Sequence, residues 1–172
     1  MSEKSKRYVI GVDPSGNFKE GKGITGLAIY DRKEDKIVWV GDVKAVDYQT
    51  RPDYHWAVWD KVKELYNEWK DAVLSVEDYV LYATKAKEQI NSNLETPKLI
   101  GILEMMALKN SIPYYTRTAS RAKPRWTEDI LVAKGYIERS GRGYKWRGQN
   151  LMTHHRDAMK HAIQCGKFEV KE

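Results

Sequence analysis

An α/β fold on one mixed five-stranded sheet, with three antiparallel strands followed by parallel ones and helices on both faces, is what this sequence predicts. Three observations carry the prediction. Short apolar, β-branched runs recur through the first 44 residues at strand length, separated by polar turns. Longer runs with apolar residues at helical spacing then alternate with two more short apolar runs. A last helical run closes the chain, so the order is βββ, then αβαβ, then α.

The elements follow from local chemistry. "RYVIGVDP" reads as a strand buried on both faces, and "ITGLAIYD" and "KIVWVGDVK" as the second and third strands of an antiparallel meander. In "YHWAVWDKVKELYNEWK", Trp56, Trp59, Val62, Tyr66 and Trp69 fall at helical spacing and predict a face packed on the sheet. "DAVLSVED" is a fourth strand, laid parallel to the first through a helical crossover. In "ETPKLIGILEMMALKN", Thr96 is the expected N-cap, Pro97 the first helical residue, and Leu99, Ile102, Leu103 and Met106 the apolar stripe. "SIPYYTRT" supplies the fifth strand. A helix starting near Arg125 is expected to stop at Gly135, with a hairpin around Ser140 and Gly141. "THHRDAMKHAIQCGK" is the closing helix, expected to be capped by Thr153 and ended by Gly166.

At 172 residues the chain has the length for one domain, 1–172, and not for two large lobes. No apolar run is long enough to cross a bilayer, and the first residues lack the pattern of a signal peptide. Cys165 is the only cysteine, so no intrachain disulfide can form and a cytoplasmic, intracellular location is expected. The formal charge of +6 is concentrated: between Arg117 and Arg147 nine basic residues face three acids. Tyr136, Tyr144, Trp126 and Trp146 lie among those charges, a mixture that suits a phosphate backbone with bases to stack on. A solvated, salt-bridged surface has the same composition.

Acids close two of the predicted strands, Asp13 the first and Glu77 with Asp78 the fourth. If those strands are parallel neighbours, the acids emerge at the same sheet edge. Adjacent side chains on a strand point to opposite faces, so only one of Glu77 and Asp78 points inward. Clustered carboxylates raise one another's pKa, whereas a divalent cation keeps them ionised. Asp157 on the last helix can supply a third oxygen ligand, with His154 three residues earlier on nearly the same face. Such a set suits Mg²⁺ or Mn²⁺ rather than zinc. Taken singly, Asp13 is also a good turn former, Glu77 a solvated strand end and His154 a surface or capping residue.

With these residues in order along nearly the whole chain, the sequence resembles the RuvC-type Holliday junction resolvases, a branch of the ribonuclease H-like nucleases. Their opening D-P-G strand and T-G-x-G strand have counterparts in "GVDPSGN" and "ITGLAIYD", and their second acid in "LSVED". Their small-residue helix resembles "PKLIGILEMMA", and their closing H-x-x-D-A helix matches His154, Asp157 and Ala158 in "HHRDAMKHAI". The resemblance implies a ribonuclease H-like fold and a nuclease site of Asp13, Glu77, His154 and Asp157. Two Mg²⁺ ions, with Mn²⁺ as a substitute, would stand about 3.5–4 Å apart in it. His154 would contact a metal or orient the attacking water. A lysine near the scissile phosphate is implied too, and Lys123 in "SRAKPRW" is its nearest counterpart. The resemblance further implies a homodimer that nicks paired strands of four-way DNA junctions. Arg117, Arg121, Lys123, Arg125, Arg142 and Lys145 are then the expected DNA contacts.

Two stretches depart from the family pattern: "NFKEGK" after the first strand and "ERSGRGYKWRG" before the last helix. The first either contacts DNA or lengthens an exposed hairpin. Both fit a phage or organellar branch acting on forks and flaps as well as junctions. Two other classes compete. A non-catalytic module for structured nucleic acid would use the basic stretch alone, and an actin-like ATPase would need a second lobe for which the chain is too short.

Overall fold

A computed structural model of the protein describes residues 6–80, 83–87 and 94–171. Strands β1 (Tyr8–Asp13), β2 (Ile24–Asp31), β3 (Lys36–Lys44), β4 (Ala72–Asp78) and β5 (Tyr114–Thr118) form one sheet in the order β3-β2-β1-β4-β5. The β3-β2-β1 part is antiparallel, and β4 and β5 run parallel to β1, as the strand pattern predicts. Helices α1 (Arg51–Glu68) and α2 (Glu95–Lys109) form the crossovers. They cover one sheet face with Ile10, Val12, Leu27, Leu74 and Val76 beneath them. The closing helix α5 (Thr153–Phe168) covers the other face, over Val9, Ala28, Tyr30 and Val73. Alternate residues of β1 thus enter two cores, which is why this strand reads as continuously apolar.

Between β5 and α5 lie two short helices, α3 (Ala119–Ala122) and α4 (Glu128–Ala133), and a second, three-stranded sheet. Its strands are β6 (Glu138–Ser140), β7 (Gly143–Trp146) and β8 (Gln149–Asn150). The expected hairpin around Ser140 and Gly141 is there, with Gly141 at φ +60° in its turn. Tyr144 and Trp146 pack against the α5 core and seat this small sheet on the body.

Several helix ends differ from the sequence expectation, each for a local reason. Thr96 lies inside α2 rather than capping it, because its hydroxyl accepts a hydrogen bond from Gly16 N–H at 3.1 Å. Helix α1 begins earlier than the tryptophan spacing suggests, since Thr50 accepts from Asp53 N–H and caps it. Trp59 and Val62 are buried, but Trp56 faces solvent. The helix expected from Arg125 starts instead at Glu128, where Thr127 accepts from Ile130 N–H, and Gly135 follows its end at φ +75°. Helix α5 is capped at Met152 rather than Thr153: His155 Nδ1 accepts from Met152 N–H at 3.1 Å. Gly166 does not end α5 but lets it pass the Tyr30 ring, where a Cβ would lie 2.6 Å from a ring carbon.

The "NFKEGK" stretch forms a short 3₁₀ turn, Lys19–Gly21, and the residues leading into it are tied to the body. Phe18 N–H donates to Glu95 Oε2 at 2.7 Å, Tyr54 Oη to Ser15 O at 2.6 Å and His55 Nε2 to Gly16 O at 2.9 Å. At the far end of the sheet, the Arg32 guanidinium donates to the carbonyls of Lys6, Gly166 and Val170 at 2.6, 2.8 and 3.0 Å. Among the described residues, no helix is long and apolar enough to cross a membrane.

Candidate active site

The parallel register of β1 and β4 runs through Val12 opposite Val76, so the next residues, Asp13 and Glu77, stand side by side at one sheet edge. The third acid depends on how closely α5 lies on the sheet. Two glycines permit that approach: a Cβ on Gly11 would lie 2.2 Å from Ala158 O, and one on Gly26 would lie 2.2 Å from His154 O. The helix backbone therefore rests directly on β1 and β2, and its first turns reach the sheet edge. His155 fixes that end, with Nε2 donating to Asp42 Oδ2 of β3 at 2.7 Å. As a result, carboxylate oxygens of Asp13, Glu77 and Asp157 lie within 4.8 Å of one another.

At an effective dielectric near 20, each such pair of carboxylates repels by about 3–4 kcal/mol. The chain offsets part of this with two ammonium groups, Lys160 on Asp157 and Lys123 between Asp157 and Glu77. Lys123 Nζ lies 2.8 Å from Asp157 Oδ2 and 3.1 Å from both Glu77 oxygens. Burial works against this ammonium, but the bond to Asp157 and the charges of Glu77, Asp157 and Asp13 outweigh it and raise its pKa. Burial likewise pushes the Asp13 carboxyl up, against the pull of its 2.7 Å hydrogen bond to His154 Nδ1. That same bond raises His154. Burial also opposes ionisation of Glu77, yet hydrogen bonds and charge from His161, together with Lys123, hold it below the ordinary glutamate range. Two lysines, one of them shared with Glu128, do not balance three carboxylates, and the all-oxygen donor set fits a hard divalent cation of the Mg²⁺ or Mn²⁺ type.

Of the sequence-predicted site residues, Asp13, Glu77, Asp157 and Lys123 converge directly, and His154 joins through Asp13. Asp78 turns outward, where its side chain accepts from Tyr79 N–H, so Glu77 is the inward acid. A cleft of about 200 Å³ opens beside Glu77, lined by Pro14, Asp78, Tyr79, Thr96, Ile100 and Ala119. Among the expected DNA contacts, Arg121 and Arg142 are exposed. Arg125 lies over the Phe168 ring, 4.4 Å from its centroid. Lys145 stands on β7 opposite Glu138, while Arg117 is engaged by Glu169 at 2.7 Å. Sequence reasoning missed Lys160 and His161, which contact Asp157 and Glu77 from α5. Their spacing of three and four residues from Asp157 is the signal that places them beside it.

No protein-family model matches the chain, and no curated protein matches it in sequence. Its fold is ribonuclease H-like, of the kind seen in RuvC. The chain is similar to Thermus thermophilus RuvC in complex with Holliday junction substrate, with a TM-score of 0.67 at 15% identity, over 92% of this chain and 91% of that one. A second Thermus thermophilus RuvC structure gives a TM-score of 0.55 at 14% identity, over 91% and 92%.

Proposed function

We propose that this protein is a metal-dependent endonuclease that nicks branched DNA, four-way junctions above all, as a homodimer. The observation that carries the reading is the meeting of Asp13, Glu77 and Asp157 around the ammonium of Lys123. A cationic side chain already stands among oxygens suited to a divalent ion. Asp13, Glu77 and Asp157 would hold Mg²⁺ or Mn²⁺, two ions in the reading adopted here. Bound there, such ions supply an activated water and stabilise the leaving oxygen of a phosphodiester. His154, hydrogen-bonded to Asp13, is placed to orient a water or contact an ion. Lys123 can follow a scissile phosphate when a metal takes its place. The fold likeness to a RuvC bound to a Holliday junction supports DNA of that class as substrate.

Two surfaces support the rest of the reading. The small sheet and its turn carry Lys145 and the exposed Arg142, which supports a cationic surface for a phosphate backbone. On the outer face of α2, Met105 is 62% and Leu108 70% exposed, and the space above Gly101 is open. That apolar strip suits the self-complementary contact of a two-fold dimer. Incubating the purified protein with a synthetic four-way junction, a fork and a linear duplex, in Mg²⁺ and then in EDTA, tests the proposal. Nicking of branched substrates in Mg²⁺ alone is expected. Binding without nicking in Mg²⁺ or Mn²⁺ would instead identify a non-catalytic module.

A further inference from the structure

Two residues of α5 with no part in the reading above converge on its acids. Lys160 and His161 are buried, at 5% and 1% exposure. A lysine is seldom this enclosed unless its charge is matched. Here it is matched twice: Nζ donates to Asp157 Oδ1 at 3.1 Å and to Glu128 Oε1 at 2.9 Å. His161 reaches toward the sheet instead, with Nε2 donating to Glu77 Oε2 at 2.9 Å. Its Nδ1 is buried without a hydrogen-bond partner among the described residues, so the polar work of this ring is directed at Glu77.

Both carboxylates face a common point. Asp157 Oδ2 lies 2.8 Å, and both Glu77 oxygens 3.1 Å, from the same Lys123 Nζ. A carboxylate gripped at one oxygen by a fixed donor keeps its other oxygen aimed. Donors that grip metal ligands in this way typically change metal affinity or activity by about 10–100-fold when removed. We infer that Lys160 and His161 are positioning residues: each holds one carboxylate, Asp157 or Glu77, by one oxygen and so orients the pair toward a shared divalent cation. One helix thereby supplies a ligand and sets the direction of two. The inference rests on the metal reading proposed above.

Titration of the full-length protein with Mn²⁺ in the absence of DNA, read by the electron paramagnetic resonance signal of the free ion, tests it. Lys160→Met and His161→Asn, whose shorter amide falls short of Glu77, are expected to bind Mn²⁺ about 10–100-fold more weakly. His161→Gln, whose amide N–H can reach the same oxygen, is expected to recover most of that loss. Junction binding in EDTA should match wild type in all three, with folding verified by thermal melting. Equal Mn²⁺ affinity in His161→Asn, His161→Gln and wild type overturns the role of His161, and unchanged affinity in Lys160→Met overturns that of Lys160. In either case loss of binding in Asp157→Asn leaves the metal reading standing. Wild-type protein that binds no Mn²⁺, or Asp157→Asn that binds it normally, sinks both.

Discussion

His154 Nδ1 and Asp13 Oδ2 lie 2.7 Å apart although 141 positions separate them in the chain. This contact joins the first strand to the last helix at the acid cluster, and it orients the Asp13 carboxylate. Replacing Asp13 with Asn keeps the shape and removes the charge. Mg²⁺-dependent nicking in Asp13→Asn is expected to fall by more than about 100-fold, since deleting a ligand exceeds the cost of deleting its support. Affinity for a four-way junction in EDTA should stay near wild type. A gel-based cleavage assay beside a binding titration measures both, and full activity in the variant would remove Asp13 from the site.

The close seating of α5 makes a second prediction. A Cβ at Gly11 or Gly26 meets helix backbone rather than a flexible side-chain tip. Gly26→Ala should therefore push α5 off the sheet, cost about 1–3 kcal/mol of stability and depress cleavage by parting His154 from Asp13. Thermal melts and nicking rates of the same preparation check it; unchanged values for both would show that the helix yields freely.

Charge in the 117–147 stretch leads to a salt test. Affinity for junction DNA should fall steeply and linearly on a log–log plot against salt concentration. Removing two of the proposed phosphate contacts in an Arg142→Ala, Lys145→Ala double variant should lower that slope by about 2. Arg117→Ala should change it little, because Arg117 is already paired with Glu169. An unchanged slope in the double variant would place the DNA elsewhere.

Acid stability follows from two ion pairs, Glu128 with Lys160 and Asp35 with Lys167. Burial opposes ionisation of Glu128, but Lys160 and Arg156 bring it down from 4.5 to about 2. Asp35 is lowered from 3.8 to about 2, because Lys167 and the hydroxyls of Tyr136 and Tyr30 overcome its burial. Both folded values lie below the ordinary ones, so the stabilisation is complete above those ordinary values and is lost as pH falls toward 2. Melting temperature should drop through that window in wild type. Glu128→Gln should start lower at neutral pH and lose less on acidification; parallel curves would contradict the assignment.

The α2 strip predicts the oligomeric state. Leu108→Glu places a charge on the proposed two-fold contact and should convert a dimer to a monomer in sedimentation, with a melting temperature that no longer rises with protein concentration. A variant that remains dimeric would move the interface off this face.

Much of this arrangement could be read from the chain because it rests on periodicity and order. The two-sided burial of β1, the meander and the placement of Asp13 and Glu77 at matched strand ends all follow from alternation and parallel register. Helix ends were less legible, since tertiary partners override local signals. Thr96 is drawn to Gly16, and His155 caps α5 in place of Thr153. Trp56 carries the spacing of a core residue but lies beyond the width of the buried face. Lys160 and His161 read as ordinary polar positions on an amphipathic helix. Only their three-dimensional proximity to Glu128, Asp157 and Glu77 shows what they hold.

Arg32 gathers the carbonyls of Lys6 and Val170 onto one guanidinium, so these two residues are held at neighbouring points. Those points lie at the opposite end of β1 from Asp13, roughly 20 Å away for a six-residue strand. A fluorescent label carried at Lys6 or Val170 would therefore report from the side of the sheet remote from the three acids.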